Sequence, residues 1–180
     1  GAGYGDDGNV WGGEILHCRE AGTSFERLGH LEEHPMPGGD LAAVYPLRML
    51  GGLLHDHLDV AERLLRSRSR YLPHGEAEAE VVLKQLRRSG GSPLTSSCGR
   101  VLDAVSSLLG VCYERTYEGE PAMKLESVAV NGRDTLSLEP EILRGNIIGT
   151  GNLCLAISES LGKGRVQDLA CSAQAYIARS

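Results

Sequence analysis

Apolar side chains at Leu47, Leu50, Leu54, Leu58, Ala61 and Leu65 recur at three- and four-residue steps, the spacing that turns one stripe of a helix toward a core. The pattern predicts an amphipathic helix after the turn-forming PMPGGD, with Pro46 in its first turn or at a kink. Ala79, Val82, Leu83 and Leu86 repeat the period within residues 76–88, acids leading and bases trailing as the helix dipole favours. A third helix follows the loop-like SGGSPLTSS at 89–97. Val101, Leu102, Val105, Leu108 and Leu109 share its face, Ser96 or Ser97 stands at its N-cap, and Gly110 stops it. Helices over 152–161, closed by Gly162, and 165–178 end the chain. Ahead of them all, residues 10–16 and 23–31 carry the β-branched and aromatic content, and the Gly and Asn boundaries, of a hairpin. Residues 124–138 read as two short strands about the NGRD turn. Hairpin, helices, short strands and helices in that order predict a mixed α/β domain.

Composition narrows the function classes. The 180 residues, 41% hydrophobic, suffice for one large domain or two small lobes. A net charge of −6 argues against non-specific nucleic-acid binding, which needs an excess of Lys and Arg to displace counterions. No run approaches the roughly 20 apolar residues of a membrane span, and no charged-then-apolar leader is present, so the cytoplasm is the expected location. The five cysteines, Cys18, Cys98, Cys112, Cys154 and Cys171, are scattered without a CxxC pair, which indicates neither a disulfide framework nor a zinc knuckle.

The candidate chemistry lies in two turns. In GYGDDGNVWGG, glycines let backbone N–H groups approach an anion and the carboxylates could hold a shielding metal; the same residues also suit a plain hairpin turn. PMPGGD, residues 35–40, can cradle phosphate or ribose at a helix start, or form a tight turn with an Asp cap. The histidines point elsewhere. His55 and His57 stand two apart on the expected helix and cannot share a metal there, and His30 and His34 are expected at the surface because Pro35 and Pro37 oppose a helix. Ser97 and Cys98 could offer a nucleophile, although capping accounts for the serine; Glu118 could be an acid–base group or an exposed turn carboxylate.

GYGDDGNVWGGEIL, FERLGHLEEHPMPGGD with YPLRML after it, TSSCGRVLDAVSSLLGVCYERTYEGEPAMKLE and RGNIIGT occur in the order and at the distances of motifs in the HypF family of carbamoyltransferases, and the chain resembles that family from Gly1 to Ser180. The resemblance implies a fragment of an actin-like, sugar-kinase-like (ribonuclease-H-like) ATPase fold whose lobes enclose a nucleotide. It implies that carbamoyl-adenylate, made from carbamoyl phosphate and ATP, donates a carbamoyl group to the C-terminal cysteine of a HypE-like partner, toward the cyanide ligands of nickel-iron hydrogenase. By the same resemblance Gly3, Gly5, Asp6 and Asp7 lie near the phosphates or metal, and Gly38, Gly39 and Asp40 near the nucleoside.

Two departures qualify what is expected of this chain. The family pattern places an Asp immediately before the position of Gly1, and that Asp, two histidines of an upstream HHHAH-like motif and a second downstream Asp hold iron or zinc. None of these ligands falls within residues 1–180, so no metal is expected here. The closing SGG loop of the nucleotide cleft is likewise absent, and residues 1–180 are expected to be a middle part of the transferase domain, inactive in isolation. An O-carbamoyltransferase of the antibiotic-modifying kind and a non-catalytic scaffold of the same shape are the alternative readings.

Overall fold

The computed structural model describes residues 2–19, 24–88 and 90–180. Gly1, Thr23 and Ser89, which begin the chain, the second expected strand and the expected linker, lie outside the described residues.

The strand expected over 10–16 is two strands in two sheets. β1 (Gly3–Tyr4) turns back as β2 (Val10–Trp11), and after Gly12 and Gly13 the chain resumes as β3 (Glu14–Cys18). A Cβ at Gly12 would lie 2.8 Å from the Ser97 hydroxyl, and one at Gly13 would lie 2.3 Å from the Ser96 carbonyl oxygen. Backbone therefore crosses backbone here, and the alternating side chains of a continuous strand have no room. β2 pairs in parallel with β6 (Leu94–Thr95), which pairs antiparallel with β5 (His34–Pro35), giving the order β1-β2-β6-β5. The second sheet runs β3-β4-β8-β7, with β4 (Phe25–Leu31), β7 (Ile142–Leu143) and β8 (Ile147–Ile148). The expected hairpin is the β3–β4 pair, with its register shifting between Ile15 and Leu16.

The long helix expected after PMPGGD is three. α1 (Asp40–Val44) stops at Tyr45, α2 (Pro46–Leu53) begins with Pro46 in its first turn, and α3 (Leu58–Ser67) starts after a turn at residues 54–57. Gly52 explains the break. A Cβ there would sit 2.0 Å from the Pro35 carbonyl oxygen, so α2 lies directly on β5, and the His55 ring turns back to the Gly52 carbonyl. The apolar spacing survives the interruption because Leu47, Leu50, Leu54, Ala61 and Leu65 are all buried.

Every residue of α2 is buried, and its main neighbour is α5 (Cys98–Leu108), whose Val101, Ala104, Val105 and Leu108 complete the centre of the core. Ser97 occupies the N-cap position of α5 without a side-chain capping bond. α4 (Gly75–Leu86), α7 (Gly151–Ser160) and α8 (Val166–Arg179) fall where the periodicity puts them.

Residues 124–138 do not form strands. α6 (Glu120–Ala129) occupies their first part and packs on α5 and α8. Pro121 suits a first helical turn, Ala122, Met123, Lys124, Leu125 and Glu126 are good helix formers, and Lys124 reaches Glu120 four residues back at 2.7 Å. These local preferences outweigh the imperfect alternation that suggested strands.

Candidate functional site

The residues that begin β1, α1, α5 and α6 meet around one cleft of about 680 Å³. Gly3, Tyr4, Val10 and Gly12 form one wall, Met36, Asp40 and Ala43 a second, and Ser97, Gly99 and Arg100 a third; Arg115, Glu118 and Gly119 close the side toward α6. The backbone N–H of Arg115 bonds the Val44 carbonyl at 2.8 Å, which ties the last wall to α1. Two guanidinium groups and two carboxylates thus line a space wide enough for a nucleotide-sized molecule, beside an α5 start whose Ser97, Cys98 and Arg100 N–H groups are already bonded within the chain.

Of the residues singled out in the sequence, Gly3 and Asp40 line this cleft, and so do Ser97 and Glu118. Gly5, Asp6, Asp7, Gly38 and Gly39 stand outside its lining. Gly5 lies flat under the Trp11 indole, where a Cβ would come within 2.1 Å of the ring. Asp6 is exposed at the hairpin tip. The Asp7 carboxylate accepts hydrogen bonds from the Asn9 N–H, the Trp11 indole N–H and Arg27, and the Asn9 bond foremost holds its pKa below the ordinary value. Gly38 and Gly39 take positive φ, 83° and 59°, to turn the chain into α1.

Residues without a motif supply much of the electrostatics. Arg100 and Arg115 bring the positive charge, and Asp103, fully buried behind Arg100, has its pKa pushed up to about 6 by burial, against the opposing pull of Arg100 and then Arg115. On the outer side of the β2–β3 crossing, Arg27 lies over the Trp11 ring and contacts Asp7, Glu14 and Glu33. Burial raises the Glu14 pKa, but bonds from Ser96, Arg27, Gly12 and Gly13 more than offset it, and the net shift is downward. A lone Arg or Asp inside an apolar helix pattern gives no sequence signal for such roles.

His34 is the clearest correction to the expected surface histidines: it is 1% exposed. Its Nε2 lies 2.7 Å from the Thr150 hydroxyl, and Glu32 beside it accepts the Thr150 and Gly151 N–H groups at the start of α7, 2.8 Å each. Burial, helped by His55 and opposed by Glu32 and Asp56, pulls the His34 pKa down to about 4. His30 is half-buried, its Nδ1 2.8 Å from the Leu31 carbonyl oxygen. His55 and His57 are also half-buried and do not share a helix, His57 standing just before α3. The thiols of Cys112 and Cys154 are buried, and Cys18 is exposed.

Among the described residues no three His, Cys, Asp or Glu side chains are arranged to hold a metal ion. No helix among them is long and apolar enough to cross a membrane.

Residues 1–180 match the family model described as carbamoyltransferase, Kae1-like domain, second subdomain. The chain belongs to the HypF carbamoyltransferase family. A probable carbamoyltransferase HypF of Methanocaldococcus jannaschii is 45% identical over 161 residues, 89% of this chain and 20% of that protein. Carbamoyltransferase HypF of Rhodobacter capsulatus is 41% identical over 139 residues, 73% of this chain and 17% of that protein. The crystal structure of T. kodakarensis HypF superposes with a TM-score of 0.86 at 43% identity, covering 99% of this chain and 24% of that one. A full-length HypF in its phosphate- and nucleotide-bound form gives 0.80 at 34% identity, covering 98% and 23%. The chain thus spans a quarter or less of each of these HypF relatives. Its mixed α/β architecture is that of a Kae1-like subdomain.

Proposed function

We propose that this chain is the subdomain of a carbamoyltransferase that supplies one wall of its nucleotide site, the ligand being ATP or carbamoyl-adenylate. The observation that carries the reading is the convergence of Gly3, Asp40, the α5 start and two arginines on one cleft of about 680 Å³. A relative crystallised with phosphate and nucleotide shares the fold of 98% of the chain. Arg100 and Arg115 offer the anion-binding charge, and the Asp40 and Glu118 carboxylates can accept hydrogen bonds from ribose hydroxyls. Gly5, Asp6, Asp7, Gly38 and Gly39 act by shaping the two turns that deliver Gly3 and Asp40.

In a longer HypF-like protein, other parts contribute the metal-binding histidines and aspartates and the lobe that closes over the nucleotide. In the transfer step a thiolate sulfur of a HypE-like acceptor attacks the carbamoyl carbon, the carbon–oxygen bond to the adenylate phosphate breaks, and AMP leaves with the electron pair. This chain orients the adenylate and keeps water from the labile acyl group. The product serves cyanide-ligand synthesis for nickel-iron hydrogenase, in the cytoplasm.

Calorimetric titration of ATP into the complete two-lobed transferase domain that contains these residues tests the binding step. Binding that is lost when Arg100 and Arg115 are both replaced by Ala is the expected result. A wild-type domain that takes up no ATP, or a double variant that binds it unchanged, overturns the reading.

A further inference from the structure

The Glu14 carboxylate gathers four donors from three separate parts of the chain. Its Oε2 accepts the Gly12 and Gly13 N–H groups at 2.6 and 2.9 Å, and its Oε1 accepts the Ser96 hydroxyl and Arg27 Nη2, the latter at 2.9 Å. The side chain is 7% exposed. Gly12 and Ser97, the immediate neighbours of the groups it holds, both line the cleft while Glu14 itself does not. Further bonds strap the same crossing: the Ser96 N–H and the Thr95 hydroxyl to the Val10 carbonyl, and the Cys98 N–H to the Gly12 carbonyl. None of these is charge-assisted, whereas every bond to Glu14 is, and charge-assisted bonds are the stronger class.

We propose that Glu14 is a positioning residue for the nucleotide, holding Gly12 against Ser97 and so fixing where these two lining residues meet the ligand at the α5 start. This rests on the nucleotide reading of that cleft. Arg27 keeps the carboxylate in place from the far side, itself held by Asp7 and Glu33.

Glu14→Gln is nearly isosteric, and its carbonyl can still accept the Gly12 and Gly13 N–H groups. Its amide N–H₂ then confronts Arg27 Nη2, donor against donor, and must shift. ATP titration is expected to show about tenfold weaker binding, the scale of one hydrogen bond to a charged group, with the thermal midpoint well above the titration temperature. Glu14→Gln with Arg27→Met removes the confrontation and is expected to recover most of the affinity. A purely structural role would lower the midpoint and leave affinity unchanged below it. Ser96→Ala cuts the link from the other side and is expected to weaken ATP in the same direction. Wild-type affinity in Glu14→Gln and in Ser96→Ala overturns the positioning role and leaves the nucleotide reading standing. Absence of ATP binding in the wild-type transferase domain, both lobes present, overturns the reading and the role together.

Discussion

Arg100 Nη2 lies 2.5 Å from Asp103 Oδ2, three residues on along α5, and neither Asp103 oxygen is aligned for a hydrogen bond. The carboxylate is therefore close to a charge yet poorly solvated by donors, and burial dominates its titration.

The Asp103 pKa is raised from 3.8 to about 6 in the folded chain. The native state thus holds this proton more tightly than the unfolded state does. The associated stability is full below 3.8 and is lost as pH rises through about 6. Asp103→Asn cannot ionise, so denaturation midpoints taken across this range should lack that loss, and the variant should match or exceed wild type at neutral pH. An identical pH profile in the two proteins would mean that Asp103 does not titrate as a buried group.

His34 has the opposite sign. Its pKa falls from 6.5 to about 4 on folding, so its contribution is full above 6.5 and is lost as pH falls through about 4. His34→Gln can keep a hydrogen bond to Thr150 without acquiring a charge, and acid denaturation of that variant should begin at lower pH. The Glu32 bonds to the start of α7 remain in both proteins and serve as the internal control.

Arg48 and Glu78 join α2 to α4 through a buried ion pair, 2.7 Å at its closest, and Arg48 also reaches the Pro37 carbonyl at 3.2 Å. Arg48→Met leaves the Glu78 carboxylate buried and without its cation, and should cost about 3–5 kcal/mol in chemical denaturation. Adding Glu78→Leu removes the stranded charge and should restore much of that loss. The pair also backs the turn into α1: a Cβ at Gly38 would come within 2.5 Å of Arg48 Nη1.

Helical spacing was legible where burial follows it, since Leu47, Leu50, Val82, Leu83, Val105 and Leu169 are all buried on the faces their periodicity assigned, but it hid the breaks between α1, α2 and α3 and missed α6. Strand pairing was much less so. β5, β6 and β8 are two residues each and pair with strands remote in sequence, such as His34 opposite Thr95 and Leu31 beside Ile148, while β7 pairs only with the neighbouring β8. No local pattern encodes the remote pairings. Proline reasoning excluded a helix at His34, but tertiary packing decided its burial, with Thr150 as partner 116 residues away. In the cleft, the turns announced Gly3 and Asp40 through their glycines and acids. Arg100 and Arg115 gave no such notice, because their charge becomes informative only where α5 and the segment between α5 and α6 bring it to the same cavity.

The most direct test of the nucleotide wall is residue-resolved. Titration of ATP into the isotopically labelled transferase domain, both lobes present, followed by amide NMR, should shift Gly3, Gly12, Asp40, Gly99 and Gly119, which lie on four sides of the cleft, and leave Gly151 beside Glu32 unmoved. Saturable shifts confined to Gly151 and its neighbours, or no shifts in the cleft at saturating ATP, would contradict the account.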